Sequence, residues 1–185
     1  ENARYRVAQE FHRRVTLERT PEAMIDRILS VVFELLPAEG AAIWLNSGKF
    51  ATKSIRPDEK DKKLEIPTTV IDQTQISKGG VIVNNALIDE RFDRSASVIM
   101  RGVKSVMAVP LRARNQTLGV LYVDSISQQA AFSEEDLPLL ESLGNQAAIL
   151  LDNAELLAKV KQEVENRANL SRFLSAAAVE EVLSG

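Results

Sequence analysis

Apolar residues recur at two periods along the chain, and the switches between the periods divide it into elements. Ala8, Phe11 and Val15, with polar residues between them, predict a lead-in helix over residues 1–19. Its stripe is narrow and suits pairing with another helix. Thr20-Pro21 supplies a capping residue followed by proline in the first turn, and Ile25, Ile28, Leu29, Val32, Leu35 and Leu36 then recur at helical spacing until Pro37 ends the helix. From Ala41 to Leu45 the pattern becomes a continuous apolar run. The Asn46-Ser47-Gly48 turn and a second extended stretch through Ile55 complete a predicted hairpin.

Further along, Thr69 is placed to cap a short helix carrying Val70, Ile71 and Ile76, with Gly79-Gly80 closing it in the left-handed conformation. Val81 to Val83 reads as a short buried strand, Asn84 to Asp93 as a loop, and Arg94 to Met100 as a small helix. Two strongly apolar strands follow, Val103 to Leu111 and Leu118 to Val123, paired antiparallel across a polar turn from Arg112 to Thr117. Pro110 has no amide donor, so its strand must lie at an edge or lose a ladder bond there.

The last helix carries the strongest start signal. Ser133 is placed to accept from the amide near Asp136, Asp136 stands where a capping-box acid belongs, and Phe132 can staple onto Leu137. Its apolar ladder runs through Leu140, Leu143, Ala147, Leu150, Ala154, Leu157, Val160 and Val164. The three-residue steps from Ala154 to Leu157 to Val160 would overwind a coiled coil locally. From Ala158 the remaining positions are charged or amide. The helix is therefore expected to leave the globular part and to need a second copy over Leu150, Ala154, Leu157, Val160 and Val164.

Composition narrows the function classes. An apolar share of 45% over 185 residues supports one ordinary domain with helical extensions. A net charge of -3 provides no positive field for nucleic acid. Arg4, Arg6, Arg13, Arg14 and Arg19 give the start a basic bias, but Glu1, Glu10 and Glu18 dilute it to a solvated helix face, so neither nucleic acid nor membrane is an expected partner. The mixed-charge stretch Asp58 to Lys63 reads as a solvated connection. No signal-peptide pattern and no apolar run of the roughly 20 residues that span a bilayer occurs in the sequence. The absence of cysteine fits a reducing compartment, and the expected location is the cytoplasm. Starting at Glu1 without an initiator Met and stopping just past an amphipathic segment, the chain reads as a piece of a longer protein.

Three stretches resemble the GAF family: Asn84-Asn85-Ala86 with Asp89-Glu90-Arg91-Phe92; Lys104 to Leu111 followed by Leu118-Gly119-Val120-Leu121; and Phe132 to Leu137. The resemblance implies an α+β fold with a GAF-like central antiparallel sheet, helices on both faces, and N- and C-terminal helices flanking it. The expected organisation is a lead-in helix at 1–19, a sensory domain at 20–152, and a signalling helix with the start of a linker at 153–185. The tail Arg172 to Leu183 is similar to the stretch that precedes class III adenylate or guanylate cyclase domains in bacterial proteins. A plain amphipathic helix is the alternative reading of that tail.

Catalytic chemistry is not expected of this chain. His12 is the one histidine and falls in the lead-in helix, which argues against a Ser-His-Asp relay and against His- or Cys-based metal and haem sites. Gly79-Gly80 lacks the Lys-Ser/Thr continuation of a phosphate loop. Methionine sulfoxide reduction and bilin attachment in GAF relatives both use cysteine, which is missing. A small-molecule pocket is implied instead, with Trp44, Asn85, Asp89, Arg91, Ser97, Ser105 and Met107 as candidate lining. Each also has a purely structural reading: Trp44 as core, Asn85 and Asp89 as loop bonds, Arg91 as an ion pair, and Ser105 bonded within the sheet. No cofactor is fixed by the sequence. Cyclic nucleotides are the ligands the family suggests; Phe132 and Asp136 match that pattern, and Asp124-Ser125 stands where Asn-Lys is expected. The expected role is a regulatory sensory module, a homodimer through its N- and C-terminal helices, that passes the signal of a small molecule to a C-terminal effector, a nucleotide cyclase. The alternatives are a ligand-free dimerisation domain, or the sensor part of a histidine kinase or transcriptional regulator.

Overall fold

The computed structural model describes residues 10, 11, 13, 15, 20–48, 50–55, 64, 66–77, 79–85 and 102–184. The chain divides into two compact units after Leu151.

In the first unit, helix α1 spans Pro21–Leu35; the Thr20 hydroxyl caps it by accepting from the Ala23 amide at 3.2 Å. The stripe predicted for it is buried, with Ile28 and Val32 fully so. Strands β1 (Gly40–Leu45) and β2 (Phe50–Ser54) form the predicted hairpin. Helix α2 spans Thr68–Ile76, and β3 (Val81–Val83), β4 (Ser105–Ala113) and β5 (Gln116–Ser125) follow. Among the described residues these strands make one five-stranded antiparallel sheet in the order β2-β1-β5-β4-β3.

The register sorts the sheet's side chains onto two faces. Ala42 and Trp44 of β1 are level with Tyr122 and Val120 of β5, which pair with Ala108 and Pro110 of β4. This face packs on α2, whose Val70 joins Ala42, Val106, Ala108, Val120 and Tyr122 in one core cluster. The opposite face carries Ile43, Leu121, Val109 and Leu111. Helix α3 (Asp136–Ser184) covers part of it, since Gly144 lies close against Val109 and Leu111, and Leu140, Leu143 and Ala147 are fully buried. Helix α1 packs against β1 and β2 on the same side, where Lys53 binds Asp26 at 2.8 Å. Helices thus cover both faces, the mixed architecture expected from the sequence. Phe11 and Val15 of the lead-in segment are helical and fully buried.

Several local expectations change. Helix α2 begins at Thr68 after Pro67, without a side-chain cap, so Thr69 lies inside its first turn. Thr74, four residues from Val70, takes the inward position, and Ile76 points outward with 79% of its surface exposed. Ser77, in extended backbone, ends the helix, and neither Gly79 nor Gly80 has a positive φ. Gly80 is required by crowding: a Cβ there would lie 2.6 Å from Leu137 Cδ1 and 2.8 Å from Val109 Cγ1. β3 is half-buried at the sheet edge.

The β4–β5 turn is tighter than the six-residue span predicted. Arg114 and Asn115 alone turn the chain, with φ of 49° and 65°, the geometry that matches the twist of paired strands. Pro110 pairs with Val120 but lies beyond Val106 to Ala108, the part of β4 that β3 covers, so its missing donor falls on a local edge. At the start of α3 the capping roles are partly exchanged. The Asp136 carboxylate accepts from the Ser133 amide at 2.8 Å and from its hydroxyl at 2.9 Å, while the Asp136 amide donates to the Ser133 carbonyl rather than to its hydroxyl.

Candidate functional site

The α2 face of the sheet sets two buried polar side chains among apolar ones. Alternation along β5 places Val120, Tyr122 and Asp124 on one side of the strand, and Ala42, Trp44, Val106 and Ala108 flank them from its two neighbours. Most of this surface is aliphatic. Tyr122 and Asp124 bring buried polar groups to it: both are 1% exposed, and the phenolic hydroxyl donates to Asp124 Oδ2 at 3.0 Å. A buried carboxylate and phenol within an apolar face are the kind of directed polar groups that orient a ligand, and equally the kind that specify a unique core. Trp44 is half-buried against the same cluster, which Ile71 and Val81 also pack against.

The end of this face is pinned by a carboxylate clasp. Glu39, just before β1, accepts from Ser125 Oγ at 2.6 Å, from the Ile126 amide at 2.7 Å and from the Ser127 amide at 2.9 Å. Its own amide donates to the Asp124 carbonyl, and its carbonyl accepts from Ile55. Partial burial opposes ionisation, but the Ser125 hydroxyl and the two amides outweigh it and hold the carboxyl below its ordinary value of 4.5.

Among the described residues, the structure does not gather the sequence candidates at one place. Trp44 lies on the α2 face. Ser105 and Met107 are fully buried and, from the register, belong to the α3 side with Val109. The Ser105 hydroxyl donates to the Val83 carbonyl at 3.2 Å, a bond that serves the sheet. Asn85 is half-buried just after β3. Asp89, Arg91 and Ser97, with the small helix expected from Arg94 to Met100, lie outside the described residues, as do the Asp58 to Lys63 connection and His12. Reading Ser105 and Met107 beside Trp44 needed the strand register, because one residue of offset exchanges the faces. Tyr122 and Asp124 were missed for the same reason; their i, i+2 spacing was the available signal.

A concavity of about 320 Å³ lies elsewhere, between α1 and the β1–β2 hairpin, floored by Ile25, Leu29 and Ile43 and rimmed by Glu22 and Asp26. Among the described residues, no sequence candidate lines it. Among the described residues, no group of three or more His, Cys, Asp or Glu side chains could hold a metal ion, and no helix is long and apolar enough to cross a membrane.

Along the second unit, Leu157, Val160 and Val164 are 71%, 60% and 62% exposed, with an exposed Lys159–Glu155 pair at 2.8 Å beside them. Leu150 and Ala154, the other residues assigned to the signalling stripe, are respectively buried and half-buried.

The profile of the GAF domain matches residues 20–151. A hybrid signal transduction histidine kinase G of Dictyostelium discoideum is 27% identical over 115 residues, which span 62% of this chain and 3% of that protein. Among solved structures, the GAF domain of an Acinetobacter phosphoenolpyruvate-protein phosphotransferase superposes with a TM-score of 0.64 at 18% identity, covering 86% of this chain and 99% of that one. The free methionine-R-sulfoxide reductase of Neisseria meningitidis, in complex with its substrate, gives 0.65 at 18% identity, covering 83% and 91%.

Proposed function

The chain belongs to the GAF domain family, and from that premise we propose that it is a cytoplasmic, non-enzymatic sensory module that binds a small molecule on the α2 face of its sheet. The observation that carries this reading is the buried Tyr122–Asp124 pair set among aliphatic residues beside Trp44. The Neisseria reductase, solved with its substrate, supports the ability of this architecture to accommodate a small molecule. Asp124 on that face favours a ligand that presents a hydrogen-bond donor or positive charge. A cyclic nucleotide, the family's suggestion, would bring its anionic phosphate close to a carboxylate, so it would have to present a base amine to Asp124 instead.

Output passes through α3 to a C-terminal effector, with a second copy covering Leu157, Val160 and Val164. The likeness of the tail to the lead of cyclase domains supports a nucleotide cyclase as that effector. The Dictyostelium relative, a histidine kinase, supports a kinase instead. A second reading, a ligand-free dimerisation domain, draws on Ser105, whose hydroxyl is spent on Val83 within the sheet.

A thermal-shift screen of cyclic nucleotides, nucleobases and small amines against the purified chain separates these readings. A compound that binds only the folded state at a hundred times its Kd stabilises it by about 2.7 kcal/mol. That gain should shrink on Asp124→Asn. A screen without a stabilising compound, or stabilisation indifferent to Asp124→Asn, rejects the proposed site.

A further inference from the structure

Helix α2 and helix α3 lie on opposite faces of the sheet, yet the chain leaving α2 touches α3 directly. The reason is topological. Strand β3 is the edge strand, so the residues leading into it turn around the open side of the sheet. Ser77 stays attached to α2, its amide donating to the Gln73 carbonyl at 2.9 Å and its hydroxyl to the Thr74 carbonyl at 3.1 Å. Arg112 of β4 donates to the Ser77 carbonyl at 2.9 Å, and the Ser77 hydroxyl also reaches the Gly79 carbonyl. Three residues past Ser77, the Gly80 amide donates to Glu141 Oε1 of α3 at 2.7 Å. A side chain at Gly80 would collide with Leu137 Cδ1, so the backbone itself lies against the first turn of α3. Leu137 and Glu141 are four residues apart and share one face of that helix.

We propose that the connector residues Ser77, Gly79 and Gly80 form the mechanical relay from the sensory face to the output helix, with Glu141 as the residue that couples them. This inference rests on reading the α2 face as the sensory one. Movement of α2 shifts Ser77, because the helix end and Ser77 are bonded as one piece. The connector then carries the shift past Gly80 to Glu141 and Leu137, next to Leu140 and Leu143 in the core. Through-sheet transmission would require the close-packed strands β4 and β5 to deform, whereas the connector bypasses them at the edge. A charge-assisted bond to a backbone amide is well suited to this role, because it fixes position without needing a matching side chain.

Hydrogen exchange resolved to individual segments tests the relay without any ligand. Val70→Ala, under α2, should accelerate exchange in residues 68–77 by about tenfold and produce a smaller acceleration in residues 137–143. In the Glu141→Ala background the effect of Val70→Ala on α2 should persist while the added response in α3 disappears, a double-mutant cycle that reads the coupling itself. Glu141→Gln retains an acceptor oxygen and should retain the α3 response. An α3 response unchanged in Glu141→Ala, missing altogether in Val70→Ala, or lost equally in Glu141→Gln overturns the relay. Unaltered exchange in β2, which has no residue in the Val70 cluster, establishes in each variant that the fold is intact. The compound screen decides the sensory reading separately: a chain that binds nothing can still show the coupling, and one that binds a ligand can lack it.

Discussion

Glu39 shows what a single side chain does for this fold. One carboxylate gathers the Ser125 hydroxyl and the amides of Ile126 and Ser127 where the chain leaves β5, and its backbone joins both β1 neighbours. Because the folded carboxyl titrates below its ordinary value of 4.5, its contribution is complete above that value and is lost as pH falls through the lowered folded one. Denaturant melts carried from neutrality down to about pH 3 should therefore show an acid loss of stability that is smaller in Glu39→Gln, with that variant about 1 kcal/mol less stable than the parent at neutrality. An acid limb of equal depth in both proteins would remove Glu39 from this role. None of it was legible beforehand, because the partners stand 86 to 88 residues along the chain. The Thr20 cap was legible, since donor and acceptor are three residues apart. Local chemistry could be read from the sequence, whereas contacts that depend on sheet register could not.

At the level of elements, the helices and strands follow the apolar periods closely, and the discrepancies lie at their ends. The β4–β5 hairpin is the clearest case. With no Asn-Gly or Asp-Gly to mark a two-residue turn, the polar run from Arg112 to Thr117 looked like the whole connection, yet Arg112 pairs with Thr117 and Ala113 with Gln116. Arg114 consequently adopts a left-handed backbone, φ 49°, that costs a residue of its kind roughly 1–2 kcal/mol. Asparagine tolerates that region better, so Arg114→Asn should raise stability by about 0.5–1 kcal/mol, read as a higher urea midpoint at unchanged slope. A midpoint that stays or falls would mean that contacts of the Arg114 side chain outweigh the turn's strain. Helix α2 was misjudged at both ends for a related reason. Thr69 and Gly79-Gly80 are the residue types that terminate helices, but Gly80 is there to let the backbone approach Leu137.

For the molecule as a whole, the sequence conveyed the family, the helices on both faces and the stripe along the last helix, while it could not assign the candidate pocket residues to faces. Trp44 and Met107 sit in adjacent layers of the same fold, and only the pairing of β1, β5 and β4 shows that they look in opposite directions. The stripe itself remains the proposal with the largest consequence for signalling. Leu157, Val160 and Val164 each expose more than half of their surface along a segment otherwise rich in charge, and burying three such side chains against a second copy would release several kcal/mol before the cost of association. Leu157→Glu places a carboxylate in the middle of that stripe on both copies at once, so self-association should weaken at least about tenfold, the factor that 1.4 kcal/mol corresponds to. Sedimentation equilibrium over a micromolar range measures it directly. Glu163→Gln, which neutralises a flanking charge and leaves the apolar stripe intact, should stay near the parent, because exposed charge pairs contribute little. A parent chain that sediments as a monomer throughout that range would leave the stripe without a twin, and the signal would have to reach its effector through one copy alone.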